Sequence, residues 1–262
     1  GNVNDNHMNN NACVRAVRAS EYQCNAAVSL KQLHDAWLKA RKGKKPSVNQ
    51  LQFDNNWSGN LLQLQQSIND CTWQPLPSTC FIALKPKARE IHAPDFSDRV
   101  VHHWLVPQLE ALWEPAFIFD SYANRKGKGS HAAVARLQQF IRQVPKAYYL
   151  QLDIHNFFNS IHRPTLWAML KRKLIKVGAS IQVLHATHAL LKQHPLQQGA
   201  SYRCNDAERA AVPMHKRLEN SASGCGLPIG NLSSQFFANV YLDALDQFVK
   251  HTLKAKCYIR YV

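Results

Sequence analysis

The stretch KAYYLQLDIHNFFNSI, residues 146–161, decides how the rest of the chain is read. Up to Asp153 it is apolar, rich in β-formers and alternating, the pattern of a strand with a buried face. A polar and aromatic loop follows, and Pro164 then opens a helix in the N1 position, with Leu166, Met169 and Leu170 inward. Asp153 therefore falls at the exit of a buried strand. A carboxylate there must be solvated, paired or bound to metal; the plain alternative is an Asp that caps the following turn.

Upstream, TCFIALKPKAREIHAP, residues 79–94, reads as two β segments around a Pro-containing basic turn, a hairpin with Lys85, Lys87 and Arg89 near its tip. Such a tip is well placed to touch phosphates, and equally reads as a solvated basic hairpin. The segment beginning SDRVVHHWLV continues as a helix capped by Ser97. SYANRKGKGS is a basic glycine loop that opens a helix at about His131. Nearer the start, Leu30, Leu33, Leu38 and Trp37 form a helical stripe broken by RKGKKP, and Ser58 is the expected N-cap of a helix carrying Leu61, Leu64 and Ile68.

Downstream, residues 180–194 read as helical, 195–224 as a long connection and 233–251 as an amphipathic helix. The stretch KCYIRYV, residues 256–262, alternates basic, aromatic and β-branched residues like a strand entering buried territory.

The 262 residues are 45% hydrophobic, enough for one large domain or two small ones. Thirty-two Lys and Arg against 17 acidic residues give a net charge of +15, which points to a polyanionic partner, nucleic acid before membrane. No apolar run approaches the roughly 18 residues of a membrane span and no leader pattern opens the chain, so a soluble, cytoplasmic protein is expected. Seven cysteines without a C-x-x-C pair indicate neither a disulfide framework nor a zinc site. The 13 histidines show no ligand spacing, and Lys171, Arg172, Lys173 and Lys176 read as a solvated helix face. GNVNDNHMNNN, residues 1–11, has six asparagines and too little apolar surface to fold alone.

Three segments carry a family resemblance in the same order. YLQLDIHNFFNSI resembles the first catalytic motif of reverse transcriptases, GLPIGNLSSQFFANVYL resembles the next, and YIRYV resembles the lead-in to their Y-x-D-D motif. FIALKPKAREIHAPDFSDRVVHHWLV and FDSYANRKGKGSHAAV resemble early blocks of the bacterial group II intron and retron lineage. Within it, Ile229, Gly230, Ser234 and Gln235 form an I-G-x-x-x-S-Q pattern that resembles the reverse transcriptases of diversity-generating retroelements, where most relatives carry Gln-Gly.

The resemblance implies a mixed α/β (α+β) fold with fingers over residues 27–145 and a truncated palm over 146–262, the thumb absent. It implies RNA-directed DNA synthesis in which two Mg²⁺ ions about 4 Å apart assist phosphoryl transfer. Asp153 would be the first metal ligand, the carbonyl of Ile154 a second oxygen, and the remaining aspartates would lie beyond Val262. Lys85 and Arg89 would bind the triphosphate, and Phe158 would pack under the sugar and exclude a 2′-hydroxyl. Gly230 would allow close approach to the templating pair. Gln235 and Asn231 would reach nucleotide or template, or else cap the helix that follows. Arg125, Lys126 and Lys128 would meet template or primer phosphates. Implied partners are an RNA template, a DNA or RNA primer, deoxynucleotides and a small basic accessory protein, in a bacterial or phage-associated setting.

Residues 1–26 read as a disordered tail or as a translated, adenine-rich template repeat. A group II intron or retron enzyme and a non-catalytic nucleic-acid-binding relative are the alternatives. On this reading the 262-residue chain does not extend a primer.

Overall fold

The computed structural model describes residues 27–43, 45–146, 148–195 and 199–261. The asparagine-rich start and Val262 therefore lie outside the described residues. Among the described residues the fold is mixed α/β, mostly helical, with one small sheet.

Among the described residues three helices come first: α1 (Leu30–Arg41), α2 (Val48–Asn55) and α3 (Trp57–Asn69). A capping box between Ser29 and Gln32 starts α1. Its buried stripe is Leu33, Ala36, Trp37 and Ala40, so Leu30 and Leu38 fall on the outer side. Leu33 and Trp37 thus keep their expected inward places, and Ala36 and Ala40 complete the stripe at helical spacing. The α3 helix buries Leu61, Leu64 and Ile68 as expected, but it begins at Trp57 behind Asn56, so Ser58 is inside it.

Two strands follow, β1 (Thr79–Ala83) and β2 (Arg89–Ala93), the expected hairpin, with Cys80 opposite His92 and Ala83 opposite Arg89. A third strand, β3 (Ser201–Tyr202), adds parallel to β1 and gives the order β2-β1-β3. Helix α4 (Phe96–Trp113) is the central pillar; it buries Phe96, Val100, Val101, Leu105 and Leu109 and packs against α1. Truncating Leu105 or Leu109 to Ala would cost roughly 2–5 kcal/mol. Its cap is Asp95 and not Ser97: the Asp95 carboxylate accepts from the Ser97 N–H at 2.9 Å. An ionised acceptor at a helix N-terminus is also favoured by the dipole.

Beyond α5 (Ser130–Gln143) and the short α6 (Phe157–Ser160) come α7 (Arg163–Lys176) and α8 (Ile181–Lys192). Leu166, Leu170 and Leu174 of α7 are fully buried, whereas Met169 is only half-buried. The expected long connection contains β3, α9 (Asp206–Ala210) and two 3₁₀ turns (Met214–Lys216 and Leu218–Asn220). Helix α10 (Leu232–Gln247) then packs on α4 and α7 and runs into a π-helical turn, Phe248–Thr252. One apolar cluster extends from Val28 to Leu242, across the boundary expected at residue 145.

Two strand expectations fail. Residues 148–154 form no strand, and Tyr148, Tyr149, Leu150 and Leu152 are all at least 80% exposed. Alternation marks a strand that has a partner, and among the described residues nothing pairs with this segment. Among the described residues the terminal segment likewise forms only one bridge, between Arg260 and Ser121.

Candidate functional site

Three of the motif-bearing stretches meet through their backbones. The Leu227 N–H donates to the Phe158 carbonyl at 2.9 Å, and the Gly226 N–H to that of Ile161 at 3.0 Å. Next to them the Arg163 N–H donates to Gly224, and His162 bridges Cys225. The segment after Asp153 is thus joined to the GLPIG turn in a short antiparallel contact. The other side of that turn reaches the hairpin, where the His92 N–H donates to the Ile229 carbonyl at 2.7 Å.

Gly230 shows why this turn carries glycine. Its φ is +122°, and a Cβ would lie 2.9 Å from Ile91 Cγ2 and 3.0 Å from the His92 carbonyl oxygen. The close approach is to β2 of the chain's own hairpin.

Beneath the turn, the Glu90 carboxylate accepts from the Leu218 N–H at 2.8 Å and lies 3.8 Å from His92 Nε2. Burial pushes the Glu90 carboxyl up, but His92, the Leu218 amide and Arg209 outweigh it and hold the group below its ordinary value. Glu90 is therefore a buried anion that fastens the 3₁₀ turn to β2.

The predicted site residues divide between surface and scaffold. Lys85 and Arg89 are exposed at the hairpin tip. Asp153 is exposed, and Ile154 is 40% exposed just before Asn156, which takes a left-handed conformation and donates through Nδ2 to the His215 carbonyl. Phe158 is partly buried, edge-on to Phe157 at 5.5 Å, and packs on the core. Gln235 is exposed in the first turn of α10. Asn231 occupies the N-cap position but makes no capping bond, and its buried Oδ1 has no hydrogen-bond partner.

In the basic loop only Lys126 points freely outward. The Arg125 guanidinium donates to both Glu114 oxygens and to the carbonyls of Ile118 and Ser121, so it braces the loop from within. Lys128 Nζ donates to the Phe119 carbonyl at 2.9 Å and stands 3.6 Å above the Phe119 ring. Burial lowers its pKa, helped by nearby Arg125.

No group of three or more His, Cys, Asp or Glu side chains suited to a metal ion occurs among the described residues. Asp153 alone does not make a Mg²⁺ site, because that ion needs several oxygen ligands in near-octahedral array.

Sequence reasoning missed a buried polar network. Arg260 donates through Nε to both oxygens of Asp246 at 2.8–2.9 Å, through one terminal nitrogen to Asn239 Oδ1 at 2.9 Å, and through the other to Ser121 Oγ at 2.8 Å. The Tyr258 hydroxyl also donates to Asp246, at 2.7 Å, and burial followed by that bond raises the phenol pKa. The available signal was Asn239 and Asp246, seven residues apart on the inward face of an amphipathic helix.

No family model matches the chain. Among curated proteins it is 26% identical over 188 residues to the group II intron-encoded protein LtrA of Lactococcus lactis subsp. cremoris, covering 70% of this chain and 27% of LtrA. It is 27% identical over 154 residues to an uncharacterized 91 kDa protein in a cob intron of Schizosaccharomyces pombe, covering 59% of this chain and 16% of that protein. The chain thus spans about a quarter or less of these relatives' length. The similarity supports the reverse-transcriptase lineage that the motifs resemble. No helix among the described residues is long and apolar enough to cross a membrane.

Proposed function

We propose that the chain is the fingers and part of the palm of an RNA-directed DNA polymerase, of the type found in diversity-generating retroelements. The observation that carries this reading is the meeting of the hairpin, the segment after Asp153 and the GLPIG turn through direct backbone hydrogen bonds. These are the stretches that a template-directed polymerase brings around a nucleotide. The net charge of +15 suits an RNA template and a primer as partners.

In this reading Lys85 and Arg89 meet the triphosphate, where cations offset charge on the leaving pyrophosphate. Phe158 excludes a 2′-hydroxyl, Gln235 and Asn231 face the nascent pair, and Lys126 meets backbone phosphate. Asp153 is the first ligand of a two-ion Mg²⁺ centre and Ile154 contributes its carbonyl; the centre requires further carboxylates in addition. A small basic accessory protein completes the assembly.

The I-G-x-x-x-S-Q pattern favours the diversity-generating type, whereas similarity to intron-encoded proteins favours a group II intron enzyme. Flanking DNA separates them: an adenine-substituted copy of the region encoding residues 1–26 marks the former, and a maturase-encoding extension the latter. Primer extension on an RNA template with Mg²⁺ tests the activity itself. The chain, with any native flanking sequence it has, is expected to incorporate deoxynucleotide; silence would refute the enzymatic reading.

A further inference from the structure

We propose that Arg260 is a positioning residue for nucleic-acid contact, one that fixes the basic loop of residues 119–129 through Ser121 and Asn239. This role rests on the proposal that the loop meets template or primer phosphates.

The terminal segment and the loop are hydrogen-bonded in both directions. The Arg260 N–H donates to the Asp120 carbonyl at 3.0 Å, and the Tyr122 N–H donates to the Arg260 carbonyl at 2.9 Å. The Arg260 side chain repeats the connection by donating to Ser121 Oγ, while Asn239 accepts from Arg260 and donates from Nδ2 to the Ala123 carbonyl at 2.9 Å. Asn239 therefore clamps the loop with one end of its amide and Arg260 with the other. Asp246, fully buried, holds the guanidinium plane that aligns these bonds.

Just past Ala123 the chain turns through positive φ at Asn124, Gly127 and Gly129, and the Gly129 N–H returns to the Tyr122 carbonyl at 3.0 Å. The turn that presents Lys126 thus springs from the two residues, Tyr122 and Ala123, that the network holds. A planar five-donor fork is needed to reach Asp246, Asn239 and Ser121 together; a lysine at the same site keeps the charge but cannot span the three acceptors.

The test is the salt dependence of binding to a single-stranded RNA oligonucleotide, with variants compared at matched folded fraction. Arg260→Lys leaves the net charge unchanged, so a change in slope reports altered phosphate pairing and not altered charge. The slope of log K against log salt is expected to fall by about 1 for each phosphate that the loop of Arg260→Lys no longer neutralises. Lys126→Ala should lower it similarly, and the double variant should add little to either single one. Lys39→Ala, on the exposed side of α1, should bind like wild type at this loop.

If wild type binds RNA without salt dependence, the nucleic-acid reading of the loop fails. If wild type and Lys126→Ala behave as stated but Arg260→Lys keeps the wild-type slope, the positioning role is overturned. Should Arg260→Lys fold poorly, Asn239→Ala cuts the same clamp from the other side, and an unchanged slope there is equally decisive against it.

Discussion

His92 and Ile229 are joined by a 2.7 Å backbone hydrogen bond that seats the GLPIG turn on the hairpin, and Gly230 alone makes the seat possible. Any side chain at Gly230 meets Ile91 and the His92 carbonyl while also straining a φ of +122°. Gly230→Ala is therefore expected to destabilise the fold by about 1–3 kcal/mol in urea denaturation. An unchanged midpoint would mean that the turn does not rest on the hairpin in this way.

The Arg260–Asp246 pair is almost wholly excluded from solvent, and loss of one partner leaves a buried charge uncompensated. Asp246→Asn should cost roughly 3–5 kcal/mol by chemical denaturation. A loss under about 1 kcal/mol would place the pair in a wetter setting than its geometry indicates.

Asp98 and His102 lie one turn apart on α4, and both are buried. Burial raises the Asp98 carboxyl to about 8, against the Leu76 N–H that donates to it, and burial lowers His102 to about 3. A raised carboxyl contributes stability that is present below its unfolded value near 4 and lost as pH rises through 8. A depressed histidine contributes stability that is lost as pH falls from about 6.5 toward 3. The two slopes oppose one another between roughly pH 4 and 6.5, and only the Asp98 decline remains above that. Asp98→Asn should remove the loss between pH 6.5 and 8 in a pH series of denaturation midpoints; a wild-type profile in the variant would refute the assignment.

Tyr148, Tyr149, Leu150 and Leu152 stand exposed along unpaired backbone, an arrangement that invites edge pairing between molecules. The 262-residue chain should associate with rising concentration in sedimentation runs, and Leu150→Lys with Leu152→Lys should suppress that. Monomeric behaviour of the wild type at all concentrations would show the segment to be covered in solution.

Much of the scaffold was legible in the chain, and the failures have a common cause. The hairpin, the buried face of α3 and the leucines at 166 and 170 follow from period and turn chemistry, which are local. The alternation of YYLQLD reports only that a strand is intended; its realisation depends on a partner that period cannot reveal. Asp95 displaced Ser97 as a cap because two acceptors lay within three residues and only geometry chooses between them. The family resemblance places Arg125 and Lys128 at template or primer phosphates; their bonds to Glu114 and to carbonyls of residues 118, 119 and 121 depend on how the loop folds back, which composition does not report. The Arg260 network is non-local, linking positions 121, 239, 246 and 260, and neither period nor motif connects those residues.

The side chains of Lys85 and Arg89 are exposed at the hairpin tip, so Lys85→Ala and Arg89→Ala should leave stability within about 0.5 kcal/mol. Nucleotide affinity should nevertheless fall in the chain carrying its native flanking sequence, read as a higher KM for deoxynucleotide. Unaltered KM in both variants would return the hairpin tip to an ordinary solvated surface.

Asp153 is the residue that the proposed polymerase chemistry assigns as first metal ligand, and its exposure lets that role be separated from folding. The decisive measurement is Mg²⁺-dependent incorporation of deoxynucleotides on an RNA template by the chain with its native flanking sequence, wild type against Asp153→Asn at equal stability. Incorporation by the wild type with background levels in Asp153→Asn is the expected result; equal incorporation by both would contradict the placement of the catalytic centre at Asp153.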